Sequence, residues 1–283
     1  MPVTNERAVA KAQNLAADTI ILDLEDAVLP EAKTRARSQL ADVLATHDFG
    51  YREVLVRING LDSVWWQDDL AALANLPVQG VVLPKIETRS GIAAVAKVMA
   101  SMPNGPKALW IMLESPVGVL NAAELCGYGA PVVGVIAGTA DLSKAMHINT
   151  MDSTQPHRMG LLPALSQCVL AARAAGVSVI DGVYMNIQDN TGLEQECAQG
   201  KALGFDGKTL IHPAQLAIAN AVFAPAAAEV QAAERLIEAW KMSEKTGAGV
   251  CLHEGRLVEH LHVIQAQALL SLAADVKERE ASA

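Results

Sequence analysis

Seven times along this chain a short apolar run ends in polar residues and gives way to an alanine-rich stretch of helical pattern. The runs are TIILDLED (19–26), EVLVRING (53–60), GVVLPKIE (80–87), ALWIMLES (108–115), VVGVIAGTAD (132–141), VSVIDGVY (177–184) and FDGKTLIHP (205–213). One polar residue near the end of each, taken as Glu25, Arg57, Lys85, Glu114, Asp141, Asp181 and His212, recurs at intervals of 27 to 40 residues. Strand–helix alternation at this spacing predicts βαβ units around a parallel sheet. Seven units and one more would close a (β/α)8 TIM barrel, a common single-domain solution at about 250 residues. An open doubly wound sheet is the rival, but no GxGxxG follows the first run. One interval upstream of Glu25 falls just before Met1. The strand that would complete eight is therefore expected to be missing or reduced to Met1–Val3, its place filled by upstream sequence or another segment.

Composition agrees with helices packed on parallel strands. The chain has 283 residues, 51% hydrophobic and 4% aromatic. A net charge of −9 leaves no surplus of Lys and Arg to displace counterions from a nucleic acid. The four cysteines (Cys126, Cys168, Cys197, Cys251) are widely spaced without CxxC, and are expected as free thiols in a reducing compartment. MPVTNERAVAKAQ opens an amphipathic helix rather than a signal peptide. No apolar run reaches the ~18 residues of a membrane span, so a cytoplasmic protein with no membrane partner is expected.

Strand side chains alternate between faces. In TIILDLED that puts Ile20, Leu22 and Leu24 toward covering helices, and Ile21, Asp23 and Glu25 into the barrel. The same alternation groups Leu55 with Arg57, Val81 and Leu83 with Lys85, and Met112 with Glu114. Each set ends in a charge at the carboxyl end of its strand, where barrel enzymes place their chemistry. Glu25, Asp26, Glu114 and Asp141 would crowd one mouth, and close carboxylates ionise together only beside cations. Arg57 and Lys85 supply some of that charge. A divalent metal would supply the rest, and all-oxygen ligands favour Mg2+, with Mn2+ as the alternative. Glu114 and Asp141 fit the sparse carboxylate set that Mg2+ takes; a metal-free salt-bridge network around Arg57 is the competing reading. Gly138, Thr139 and Ala140, between a strand and a helix start, would turn backbone N–H groups toward a substrate carboxylate.

Other features read as structural. GFDGKT resembles a P-loop, but the required glycine is Ala202. Gly207 and His212 are expected to shape the last strand's turn. His260 and His262, two apart, would face away from each other on a helix and hold no metal. Residues 1–223 form the expected barrel domain and 224–283 a helical C-terminal extension: an amphipathic helix at 226–240, a glycine hinge in KTGAGV and a helix at 255–274 able to act as a lid.

ILDLEDAV, VRING, VVLPKIE, LESPVGVLNAAEL, GTADLS, DGVY and LGFDGKTLIHPAQLAIANAVFAP, in that order, resemble the citrate lyase β-subunit-like branch of the HpcH/HpaI aldolase family, over about residues 2–270. The resemblance implies a (β/α)8 barrel, a homotrimer or hexamer, Mg2+, and making or breaking of a C–C bond between an acyl thioester of CoA or a carrier protein and a small 2-oxo acid. It implies Glu114 and Asp141 as Mg2+ ligands and Arg57 as the group that holds the oxo acid and stabilises enolate charge. It gives Glu25 and Asp26, with Lys85 beside them, supporting roles around metal-bound water and Arg57. Two departures stand out. The first strand before the family's PGN-type turn is absent, which leaves Arg7 and Lys11 as the candidates for CoA phosphates. In EGRLVEHLHV, Glu259 takes the place of a catalytic Asp of the lid, one methylene longer. The function expected is cleavage of a malyl-CoA or citramalyl-CoA type thioester. The rivals are a citrate lyase subunit acting on carrier-bound citryl groups, a non-catalytic CoA or oxo-acid binder, and an aldolase on free pyruvate.

Overall fold

A computed structural model of the chain describes residues 1–149, 157–244 and 250–282. They fall into two compact units, Met1–Ala219 and Asn220–Ala283.

The first unit is built on seven strands, the expected runs trimmed at their ends: β1 (Thr19–Asp23), β2 (Glu53–Arg57), β3 (Gly80–Leu83), β4 (Ala108–Leu113), β5 (Val132–Ala137), β6 (Ser178–Asp181) and β7 (Gly207–Lys208). Each pairs in parallel with the next in chain order, with helices between. Ile21, Leu55, Val82, Trp110, Met112, Ile136 and Ile180 form one cluster, so side chains from β1 and β6 meet inside and the sheet is curled. Among the described residues β1 and β7 share no ladder, so the sheet is a seven-stranded open half-barrel: the strands of the expected (β/α)8 barrel without an eighth to close it. Met1–Val3 lie beside β1: the Asp23 amide donates to Met1 O at 2.8 Å, and Pro2 bridges Asp23 in parallel.

Register shows which side chains point inward. Ile21 sits opposite Leu55, Asp23 opposite Arg57, Arg57 opposite Val82, and Val82 opposite Trp110. The expected grouping of Val81 and Leu83 with Lys85 is therefore off by one: Val82 faces the interior. That parity was counted back from Lys85, but β3 ends at Leu83. Pro84 cannot donate to a ladder and Lys85 has φ 51°, so alternation stops before it. On β5, a Cβ at Gly134 would stand 2.3 Å from the Trp110 ring, so only glycine lets the indole fill the interior.

The second unit packs the helix Ala227–Glu244 against the helix His260–Ser282 and a hairpin, β8 (Val250–His253) and β9 (Arg256–Glu259), around Trp240, Val258 and Val263. The hairpin turn needs positive φ at Glu254 (47°) and Gly255 (75°). Residues expected to begin a lid helix at 255 are therefore a strand up to Glu259. The glycine hinge expected at 245–249 lies outside the described residues. Where no apolar run of membrane-span length was expected, an 18-residue window within Pro213–Glu244 reaches a mean hydropathy of 1.3, long and apolar enough for a span, but the segment breaks around Ala224–Pro225 into separate helices.

Candidate active site

β1 ends in Asp23 because that carboxylate finds partners as the apolar run stops. It is 3% exposed and accepts the amides of Glu25 at 2.8 Å and Ala27 at 3.2 Å, which fold the chain over into the turn carrying Glu25 and Asp26. From the next strand Arg57 completes the set as a bidentate donor, its Nε 2.8 Å from Oδ1 and its Nη2 on Oδ2. Burial pushes the Asp23 carboxyl up, but Arg57 and the Glu25 amide together hold it below the usual range. Asp23 is thus the clamp on the arginine expected to do the chemistry.

Glu25 and Asp26 stand at the mouth as expected. Glu25 is 5% exposed, and its Oε1 accepts from Lys85 Nζ at 2.6 Å. Its Oε2 lies 3.3 Å from Arg57 Nη1, an ion pair without hydrogen-bond geometry, so this oxygen has no hydrogen-bond partner among the described residues. Burial raises the Glu25 carboxyl against the pull of Lys85 and Arg57. Lys85 binds the cluster together: its ammonium also reaches Asp26 Oδ1 at 3.4 Å and Asp141 Oδ2 at 3.9 Å, and its amide donates to Glu114 Oε1 at 2.7 Å. The left-handed backbone of Lys85, which costs about 1 kcal/mol or more, aims amide and ammonium at different carboxylates.

Glu114 follows β4 and is 5% exposed; Asp141, in the first turn of the helix Thr139–Ala145, is 39% exposed in its side chain. Burial, with Glu25 and Asp141 nearby, pushes Glu114 up to about 7 despite the Lys85 amide. A Cβ at Gly138 would stand 2.2 Å from Glu114 Cβ and 2.6 Å from its Oε2. That glycine is therefore the space in which the carboxylate sits. Its expected place in an anion cradle is corrected: the Gly138 amide donates to Leu113 O at 3.0 Å and is used up in the sheet. Thr139 and Ala140 occupy the first two helical positions, whose amides have no partner within a helix.

A divalent cation fits this donor set. Asp23, Glu25, Asp26, Glu114 and Asp141 outnumber the cations Arg57 and Lys85. Glu114, which makes no ion pair among the described residues, and Asp141, which has only the distant Lys85 ammonium at 3.9 Å, are the pair expected to bind metal. Among the described residues no group of three or more His, Cys, Asp or Glu has metal-site geometry, which suits an ion that takes one or two carboxylates and fills its shell with water and substrate.

The remaining candidates belong to other elements. Arg7 and Lys11 are exposed on the helix Glu6–Ala12 and, among the described residues, make no ion pair with the mouth. Glu259 is the last residue of β9 in the second unit, with its amide donating to His262 Nδ1 at 3.0 Å. His212 caps a helical turn by accepting from Ala214 N at 3.2 Å, the structural role expected of it.

Sequence reading missed the support beneath the mouth: Lys33 and Asn59, both buried, on the backbone of the Glu25 turn, and Ser115, which donates to Glu87 Oε1 at 2.6 Å beside Glu114. A cleft of about 330 Å3 opens there, lined by Glu25, Asp26, Lys33, Asn59, Trp65 and Lys85 among others. The signal was available in LEDAV followed by a lysine and in the Asn of VRING, but only tertiary contact shows that both reach the same carbonyl.

A family profile described as HpcH/HpaI aldolase/citrate lyase matches residues 1–213. The chain is 44% identical over 273 residues to the (3S)-malyl-CoA thioesterase of Cereibacter sphaeroides (strain ATCC 17025 / ATH 2.4.3), covering 96% of this chain and 92% of the relative. It is 33% identical over 279 residues to the citrate lyase subunit beta of Leuconostoc mesenteroides subsp. cremoris, covering 96% and 91%. The solved structure of protein CitE from Mycobacterium tuberculosis, in complex with magnesium, acetoacetate and coenzyme A, superposes with a TM-score of 0.80 at 28% identity, covering 97% of this chain and 96% of that one.

Proposed function

The chain belongs to the HpcH/HpaI aldolase/citrate lyase family, and from that premise we propose that it is a Mg2+-dependent enzyme of 3-hydroxyacyl-CoA thioesters of the malyl-CoA or citramalyl-CoA kind, cleaving them into an acyl-CoA and a 2-oxo acid. The observation that carries this reading is the grouping of Arg57, clamped by Asp23, with the carboxylates Glu114 and Asp141 around Lys85.

Glu114 and Asp141 would hold Mg2+, which would supply Lewis-acid chemistry to the substrate's oxygens. Arg57, fixed by two hydrogen bonds to Asp23, offers its remaining donors to the oxo acid and to the enolate oxygen. Glu25, whose Oε2 has no hydrogen-bond partner among the described residues, takes the hydroxyl proton. The C–O bond then becomes a carbonyl, the C–C bond breaks, and its electron pair leaves as the thioester enolate. Glu259 is assigned the return of a proton to that enolate, on the family motif alone. Arg7 and Lys11 are assigned to the CoA phosphates on the same basis. We propose a homotrimer or hexamer working in the cytoplasm, to be checked by light scattering and cell fractionation.

A second reading is hydrolysis of the thioester itself, favoured by the thioesterase relatives that share 43% to 44% of the sequence over nearly the whole chain. One assay separates the two. With (3S)-malyl-CoA and Mg2+, cleavage yields glyoxylate and acetyl-CoA without free thiol. Hydrolysis yields malate with one free thiol per turnover. Malyl-CoA left intact, with citramalyl-CoA also intact, would refute both.

A further inference from the structure

Lys33 is a buried lysine that the reaction outlined above does not use. It opens the helix Lys33–Thr46, is 6% exposed, and makes no ion pair among the described residues. Its ammonium donates to two main-chain carbonyls, Leu24 O and Glu25 O, each at 2.8 Å, and lies 5.4 Å from the centre of the Trp65 ring. Leu24 O takes a second donor, Asn59 Nδ2, at 3.0 Å. Asn59 is in turn fixed by Asp69, whose Oδ2 accepts its side-chain amide at 2.6 Å and its backbone amide at 3.0 Å, and Asp69 by Arg37 Nε at 3.0 Å. On the other side of the same turn, Asp23 holds the amides of Glu25 and Ala27. The turn that carries Glu25 is thus gripped by its N–H groups from Asp23 and by its carbonyls from Lys33 and Asn59.

We propose that Lys33 is a positioning residue for Glu25, with the Arg37–Asp69–Asn59 chain bracing it. A buried ammonium has three donors and no acceptor, and here two of them satisfy adjacent carbonyls that no other side chain reaches together. Without it Leu24 O keeps only Asn59 and Glu25 O only the Val28 amide at 2.9 Å, nothing ties the two carbonyls together, and the turn relaxes. Glu25 then leaves the line between Lys85 and Arg57. Displacements of about 1 Å at a reacting group can cost about 10²-fold in rate.

The inference rests on the functional reading only for its kinetic arm. In the full-length chain, Lys33→Met should lower kcat about 100-fold with KM changed less than threefold, and Lys33→Arg should recover most of the loss. Titration with Mg2+ alone should show affinity within twofold of the parent, because Glu114 and Asp141 do not touch Lys33. Hydrogen exchange should quicken at least tenfold at the amides of Glu25 and Ala27 while β4 keeps its protection. A kcat within twofold of the parent with unchanged exchange overturns the proposal, as does a loss of protection across the whole sheet, which marks a general fold defect. If the parent turns over no malyl- or citramalyl-type thioester, the functional reading fails, and the exchange arm decides the positioning role by itself.

Discussion

At the scale of single residues, the site is organised by two carboxylates with opposite fates. Asp23 is buried and ionised because Arg57 faces it; Glu114 is easily protonated because burial outweighs the Lys85 amide and the more distant pull of Arg57. Asp23→Asn should leave Arg57 charged without its clamp. Removing one partner of a buried pair costs about 3–5 kcal/mol, and the arginine side chain is 20% exposed, so about 3 kcal/mol is expected in a denaturant titration, with turnover falling about 100-fold. Glu114 predicts a pH dependence. Its carboxyl titrates near 7 in the fold against an ordinary 4.5, so between those values the folded state holds the extra proton. In the metal-free protein its contribution to stability is full below about 4.5 and is lost as pH rises through 7. Mg2+ competes for the ionised form, so affinity should weaken about tenfold per pH unit below 7. Glu114→Gln should flatten the stability profile in that window and abolish Mg2+ binding in calorimetry; an unchanged Mg2+ isotherm would contradict the assignment. Sequence showed these acids crowded at one mouth because charges at strand ends can be counted. It could not show which acid holds which base, since Asp23 meets Arg57 across a lateral strand contact that spacing alone does not report.

At the scale of elements, the strand–helix beat was legible because parallel strands require a helical crossover, and that sets a minimum interval. What failed was alternation carried past a strand's end. Lys85 was expected to share a face with Leu83, but Pro84 and a left-handed Lys85 break the pleat, and the side chain reaches Glu25 from a loop. Glycine positions were legible only as turn signals. Gly138 turns out to be required by volume, since any side chain there collides with Glu114. Gly138→Ala should therefore weaken Mg2+ binding at least tenfold and lower stability by about 1–3 kcal/mol, measured by calorimetry and thermal melting. Its φ is negative, so the loss is steric and not one of backbone conformation.

At the scale of the whole molecule, the long apolar composition was read as one barrel domain with a helical appendage, and the fold divides the chain at Ala219. The half-barrel carries the carboxylates, the lysine and the arginine on the carboxyl ends of consecutive strands, which is why the mouth could be located before any contact was known. The second unit was harder to read, because β8 and β9 are only four residues each and their hairpin turn puts a glutamate, not a glycine, at one of its two positive-φ positions. The account as a whole rests on a Mg2+-dependent reaction of a malyl- or citramalyl-CoA type thioester at this mouth. Its most direct test is a panel of malyl-, citramalyl- and citryl-CoA assayed with Mg2+ and again with EDTA. The account predicts a 2-oxo acid from malyl- or citramalyl-CoA in Mg2+ and none in EDTA. Turnover of none of the three in Mg2+, or equal turnover in EDTA, would contradict it.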